Sequence, residues 1–130
     1  MQRRKVMLVD DDEDFLEETS ELLEAAGYDV QTAASSREAL ERIIEEPPEI
    51  ILLDYILPDN GGSLVLKLVE NGDIPEMPIV MISGTPLDKI SEEMEDLSEK
   101  AVVNAFMEKP IEPLDMIAMI ESNLNNRQAE

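Results

Sequence analysis

Short, largely apolar runs punctuate this chain, and between them apolar residues return every three or four positions. The runs lie at 5–9 (KVMLV), 28–33, 50–53 (IILL), 79–83 and 104–107. An apolar run bounded by turn residues predicts a strand covered on both faces, as in a parallel sheet between two helix layers. The second run is the most polar and is expected to leave Asp29 exposed. A helix is predicted over 12–26, with Phe15, Leu22 and Leu23 on its inner stripe and Gly27 closing it. Ser36 is expected to cap a second helix whose Ala39, Leu40, Ile43 and Ile44 face inward until Pro47 and Pro48 stop it. A third spans 62–71, with Leu64, Val65, Leu68 and Val69 inward. A fourth, over 87–100, is acid-rich and weakly apolar, and so is expected to be the least stable. The last covers 113–123, with Leu114, Ile117, Ile120 and Leu124 as its buried stripe. Five strands alternating with five helices give an α/β fold: a single doubly wound parallel sheet with right-handed crossovers.

At 130 residues the chain has room for one core, with residues 1–125 as the domain and 126–130 as a polar tail. Its apolar runs are far too short to cross a membrane, and MQRRK-VMLV reaches three acids too soon to be a secretory signal. With no cysteine, disulfides and thiolate chemistry are excluded, and a cytoplasmic location is the default expectation. With no histidine, any imidazole in its chemistry must come from a partner. The net charge of -21, from 31 acids against 10 bases, repels phosphate backbones and argues against direct nucleic-acid binding. Most of these acids read as solvated helix faces. Met81, Met107, Met116 and Met119 read as core fillers.

The chemistry gathers where the strands end. The first run closes on Asp10 and Asp11, the third on Asp54, the fourth on Ser83 and the fifth on Lys109. Asp12 reads as the N-cap of the first helix. In the flavodoxin-like strand order 2-1-3-4-5 the first and third strands are neighbours, about 4.8 Å apart, at the edge where open α/β sheets bind ligands. Two carboxylates about 4 Å apart repel by roughly 4 kcal/mol at a surface-like dielectric. A hard divalent ion such as Mg²⁺ and the Lys109 ammonium would offset this, and a phosphoryl group would bridge them. Asp54 is thus expected to be a nucleophile that accepts a phosphoryl group.

The chain resembles the receiver domain of two-component response regulators from about Arg4 to Leu124. The resemblance rests on VDD (Asp10, Asp11), LLDYILP with Pro58 and Gly62 following, MISG (Ser83) and EKP (Lys109, Pro110). It implies that Asp54 is phosphorylated by a histidine kinase or histidine phosphotransfer protein. Asp10, Asp11, Asp54 and the Ile56 carbonyl would hold Mg²⁺, and Ser83 and Lys109 would each bind a phosphoryl oxygen. Phe106 is core by its apolar setting and the switch aromatic by resemblance, turning inward as Ser83 moves. Ile56 and Thr85 stand at positions that tune hydrolysis in the family, and Lys109-Pro110 is a candidate cis peptide. Output would pass to a downstream protein or an output domain outside this chain. A homodimer would use the face of the 87–100 helix, the fifth strand and the last helix. The sequence departs from the family at Gly61, where an acid is common, at Gly84, and in a longer 84–108 segment. Two alternatives share some of these features. One is a phosphorylation-independent scaffold on this fold. The other is a haloacid-dehalogenase-type phosphohydrolase, whose Asp-x-Asp-Gly-Thr signature is not matched by DDDED at 10–14.

Overall fold

Strands β1 (Lys5–Val9), β2 (Asp29–Ala33), β3 (Ile50–Asp54), β4 (Ile79–Ser83) and β5 (Val103–Glu108) form one parallel sheet in the order β2-β1-β3-β4-β5. This is the expected topology. The computed structural model describes residues 3–59, 77–86, 88 and 103–128. The segments read as the third and fourth helices, 62–71 and 87–100, lie outside the described residues apart from Asp88, as does Gly62 of the motif. Of the expected dimer face, the fifth strand and the last helix are described and the 87–100 helix is not.

The three inner strands are those with the most continuous apolar runs: every residue of β3 and β4 is buried, and all of β1 beyond Lys5. Their side chains alternate between two cores. Met7, Val9, Ile51, Leu53 and Met81 face one layer, where α2 (Ser36–Glu45) lays down Ala39 and Ile43. Val6, Leu8, Ile50, Leu52, Val80 and Ile82 face the other, under Leu16 and Leu23 of α1 (Glu13–Ala25). The same layer takes Met116, Ile120 and Leu124 of the C-terminal helix α3 (Pro113–Gln128). Edge strands β2 and β5 are more polar and only partly covered. At a register shift between β4 and β5, the Asn104 side-chain oxygen accepts the Ile79 N–H at 3.0 Å.

Several local expectations are corrected. The cap of α2 is Ser35, whose extended backbone lets its hydroxyl accept the Glu38 N–H at 3.1 Å; Ser36 is the first helical residue and is buried. Ile44 is 61% exposed because the inward stripe of α2 is the Ala39–Ile43 row, and a residue one step further round turns to solvent. Leu114 is 79% exposed for the same reason: the stripe of α3 runs through Met116, Ile120 and Leu124, four residues apart. In α1 Leu16 and Leu23 are the buried pair, with Phe15 and Leu22 beside them at the edge of the core. The C-terminal helix continues to Gln128, beyond the expected end at 123. Met81 and Met116 are buried, and Met107 and Met119 pack against the core, as fillers. Gly27 has φ +102° and closes α1 as expected, and Asp12 caps it by accepting the Phe15 N–H at 3.2 Å.

The chain runs outward from β1 to β2 and then back past β1 to β3, which puts α1 and α2 on opposite faces. A crevice opens at such a switch, at the carboxyl ends of β1 and β3. The loop leaving β3 is tied across it. Asp59 accepts the Ser36 N–H on Oδ1 at 2.9 Å and the Arg37 N–H on Oδ2 at 3.0 Å, the first two free donors of α2. The Ser36 N–H bond, chiefly, holds the Asp59 carboxyl below the usual carboxylate range.

Because its pKa is lowered on folding, Asp59 contributes stability above the ordinary carboxylate pKa and loses it as pH falls through the lowered one. Asp59→Ala is expected to cost about 1 kcal/mol at neutral pH, the usual worth of a helix-end acceptor. Urea unfolding should show the gap closing as pH falls below the ordinary carboxylate range. An unchanged midpoint at neutral pH would mean that the clamp adds nothing.

Candidate functional site

The β1–β3 register pairs Leu8 with Leu52 and Val9 with Leu53, so the next residues on, Asp10 and Asp54, stand side by side. Asp10 is held on both sides: its N–H donates to Ala33 at 3.0 Å, and its Oδ1 accepts the Asp12 N–H at 2.9 Å. Asp10 is 1% exposed and Asp54 6% exposed, whereas Asp11 is open to solvent. Each of the three offers one carboxylate oxygen, and these oxygens lie within 4.8 Å of one another. Burial, and then the Asp10 charge, push the Asp54 carboxyl up to about 6, although the Ile56 N–H and Lys109 pull it down. The Ile56 N–H reaches Asp54 Oδ1 at 3.1 Å.

The compensating charge comes from the far edge of the sheet. The Lys109 backbone N–H donates to the Ser83 carbonyl at 2.7 Å, carrying the β4–β5 ladder one residue past Glu108. From there the side chain reaches back over β4, where its Nζ hydrogen-bonds Asp10 Oδ2 and stands 3.5 Å from Asp54 Oδ2. Burial lowers the pKa of the Lys109 ammonium, but Asp10 and Asp54 outweigh burial and leave it above the ordinary lysine value. The Lys109-Pro110 peptide is cis.

Ser83 is fully buried at the end of β4. Its hydroxyl faces its own loop: it donates to the Thr85 carbonyl at 3.1 Å and accepts the Thr85 N–H at 3.0 Å. Phe106 is partly buried and packs on the Met7–Met81 core. Ile56 is exposed beside the cleft. The structure therefore brings Asp10, Asp11, Asp54 and Lys109 together, with Ser83 bonded to the Lys109 backbone. Asp59 escaped notice as more than a turn residue, since its partners are more than 20 positions back in sequence and no local pattern signals them.

A donor set of three carboxylates with an open side suits a hard divalent cation, which takes oxygen ligands and keeps waters. An ammonium opposite such a cation makes a place for a dianionic tetrahedral group. Among the described residues no helix is long and apolar enough to cross a membrane.

Similar chains bear out this architecture. The crystal structure of a CheY-like response regulator receiver domain protein from Methanospirillum hungatei JF-1 is 30% identical, covers 98% of each chain and superposes with a TM-score of 0.87. Chemotaxis protein CheY4 from Vibrio cholerae is 26% identical, with 95% of this chain and 100% of that one covered and a TM-score of 0.83. The receiver domain of NtrX from Brucella abortus is 27% identical over 92% of this chain and 98% of its own, at a TM-score of 0.79. The response regulator receiver domain model matches residues 6–121, from β1 into the C-terminal helix α3. A match of that extent, on a chain with this strand order, makes the protein a member of the response regulator receiver domain family of two-component systems.

Proposed function

We propose that this chain is a phosphoacceptor. Asp54 takes a phosphoryl group from the phosphohistidine of a partner kinase or histidine phosphotransfer protein, and the product shifts the domain to a conformation with altered protein contacts. The single observation behind this is the Lys109 ammonium seated against Asp10 and Asp54, acids from two adjacent strands.

Asp10, Asp11 and Asp54, with the Ile56 carbonyl, would hold Mg²⁺. Bound there, the ion would neutralise both the acids and the oxygens of the incoming phosphoryl group. An Asp54 carboxylate oxygen attacks phosphorus in line; the bond from phosphorus to the donor nitrogen breaks, and the imidazole leaves with the electron pair. Lys109, kept charged by its raised pKa, pairs with a phosphoryl oxygen. Ser83 exchanges its bonds to Thr85 for one to a second phosphoryl oxygen, and Phe106 turns inward behind it. Water later cleaves the acyl phosphate and restores the carboxylate. The imidazole is necessarily external, because the chain has no histidine. The output is a contact with a downstream protein or an output domain outside this chain, and not a direct contact with nucleic acid.

Acetyl phosphate with Mg²⁺ should add about 80 Da to the protein, and Asp54→Asn should abolish the adduct. Intact-mass spectrometry reads both. Absence of an adduct with acetyl phosphate and with a phosphohistidine donor would overturn the proposal.

The ionisation of Asp54 predicts a pH effect of opposite sign to that of Asp59. Its folded pKa lies above the unfolded value of about 3.9, so its share of stability is complete below that pH and is lost as pH rises through about 6. Without divalent ions, Asp54→Asn should be more stable than the parent at about pH 8, by roughly 1–2 kcal/mol once solvent screening is allowed for. The advantage should vanish near about pH 4. Adding Mg²⁺ should raise the parent's thermal midpoint and leave the variant nearly unmoved. Equal stability at high pH would show that Asp54 ionises there without penalty.

A further inference from the structure

A lysine ammonium has three donors, and the cleft acids account for two of those on Lys109. An aromatic ring also faces it. The Nζ lies 4.5 Å from the centroid of the Phe15 ring, within the range at which the negative face of the ring attracts a cation. Phe15 owes its place to the same run of acids that lines the cleft. Asp12 caps α1 and takes the Phe15 N–H, which fixes this residue in the first turn. The ring then packs against the core cluster of Val6, Leu8 and Leu16. Together with Lys109 and Pro110 it also lines a cavity of about 550 Å³ that extends along α1 to Leu22 and across to Met116 of α3.

Asp10 and Asp54 attract the ammonium, but they are also the groups whose charge the reaction claims. Once a cation and a phosphoryl group occupy them, neither acid is free to hold Lys109 where it now stands. The ring is consumed by no step. We propose that Phe15 is a positioning residue for phosphoryl transfer, its ring face keeping the Lys109 ammonium over the cleft while Asp10 and Asp54 change partners. This rests on the phosphoacceptor reading above. It assigns a function to a side chain that, by periodicity alone, is merely part of the α1 inner stripe.

The test varies the charge on the ring face and keeps the shape of the ring. The full chain is made with 4-fluoro-, 3,5-difluoro- or pentafluorophenylalanine at position 15, a series that strips negative charge from the face in steps. The rate of adduct formation on Asp54 is measured with acetyl phosphate and Mg²⁺, a donor that needs no protein docking. The rate should fall along the series and reach about a tenfold loss at the pentafluoro ring, equivalent to about 1.4 kcal/mol of barrier. Phe15→Leu should sit near that floor, and Phe15→Trp should recover most of the rate. Proton resonances of the Lys109 ε-methylene should be shifted upfield in the parent and return to ordinary values in Phe15→Leu. Equal rates across a series in which every member still forms the adduct would overturn the positioning role and leave the phosphoacceptor reading standing. A loss that ignores ring charge and tracks a lowered unfolding midpoint would likewise overturn it, in favour of packing. Failure of the parent itself to form an adduct would overturn the underlying reading, and this inference with it.

Discussion

Two carboxylates on neighbouring parallel strands cannot move apart, because the ladder that carries them fixes their spacing. Strand ends lie about 4.8 Å apart, and charges at such a distance repel by a few kcal/mol even with partial solvent screening. What holds the acids together is the apolar material beneath them. Leu8, Val9, Leu52 and Leu53 immediately below are completely or almost completely buried, and each such side chain contributes about 1.5–3 kcal/mol. A handful of these residues therefore outweighs the repulsion above. The upward displacement of the Asp54 pKa is the part of the conflict that remains, and Lys109 is the cation that moderates it.

The distribution of the other cations sharpens this. Arg4 stands 3.7 Å from Glu49, Lys5 is bonded to Glu46, and the Lys5 N–H donates to Glu49 at 2.8 Å. These contacts sit at the amino ends of β1 and β3, opposite the cleft, and Arg37 and Arg42 pair with acids along α2. Exposed pairs of this kind add little stability. Their effect is one of allocation: Arg4 and Lys5 near the sheet's amino end are matched to local acids, while among the described residues the cleft relies on a single lysine brought in from an edge strand.

How far the sequence disclosed this can be judged residue by residue. The inner strands were legible because a continuous apolar run has few other uses, and from them follow the sheet and the positions of Asp10, Asp54 and Ser83. Lys109 was legible because a charged residue between a half-buried strand and a proline requires a reason. Helix faces were less legible. In α2 and α3 a run of apolar residues is wider than the stripe the sheet can cover, so Ile44 and Leu114 were assigned inward and lie outward. Ser35 and Ser36 are chemically equivalent caps on paper, and only backbone geometry separates them. The contacts of Asp59 with α2 and of Phe15 with Lys109 join residues far apart in sequence, and no spacing rule reaches them.

The hydrogen bond from the Lys109 N–H to the Ser83 carbonyl joins the backbones of the hydroxyl-bearing and ammonium-bearing residues. Neither can be displaced without dragging the other, so the two behave as one jaw and not as independent fingers. In energetic terms, disturbances at the two positions do not sum. In mechanical terms, whatever lengthens or twists the turn beyond one of them has to re-aim both.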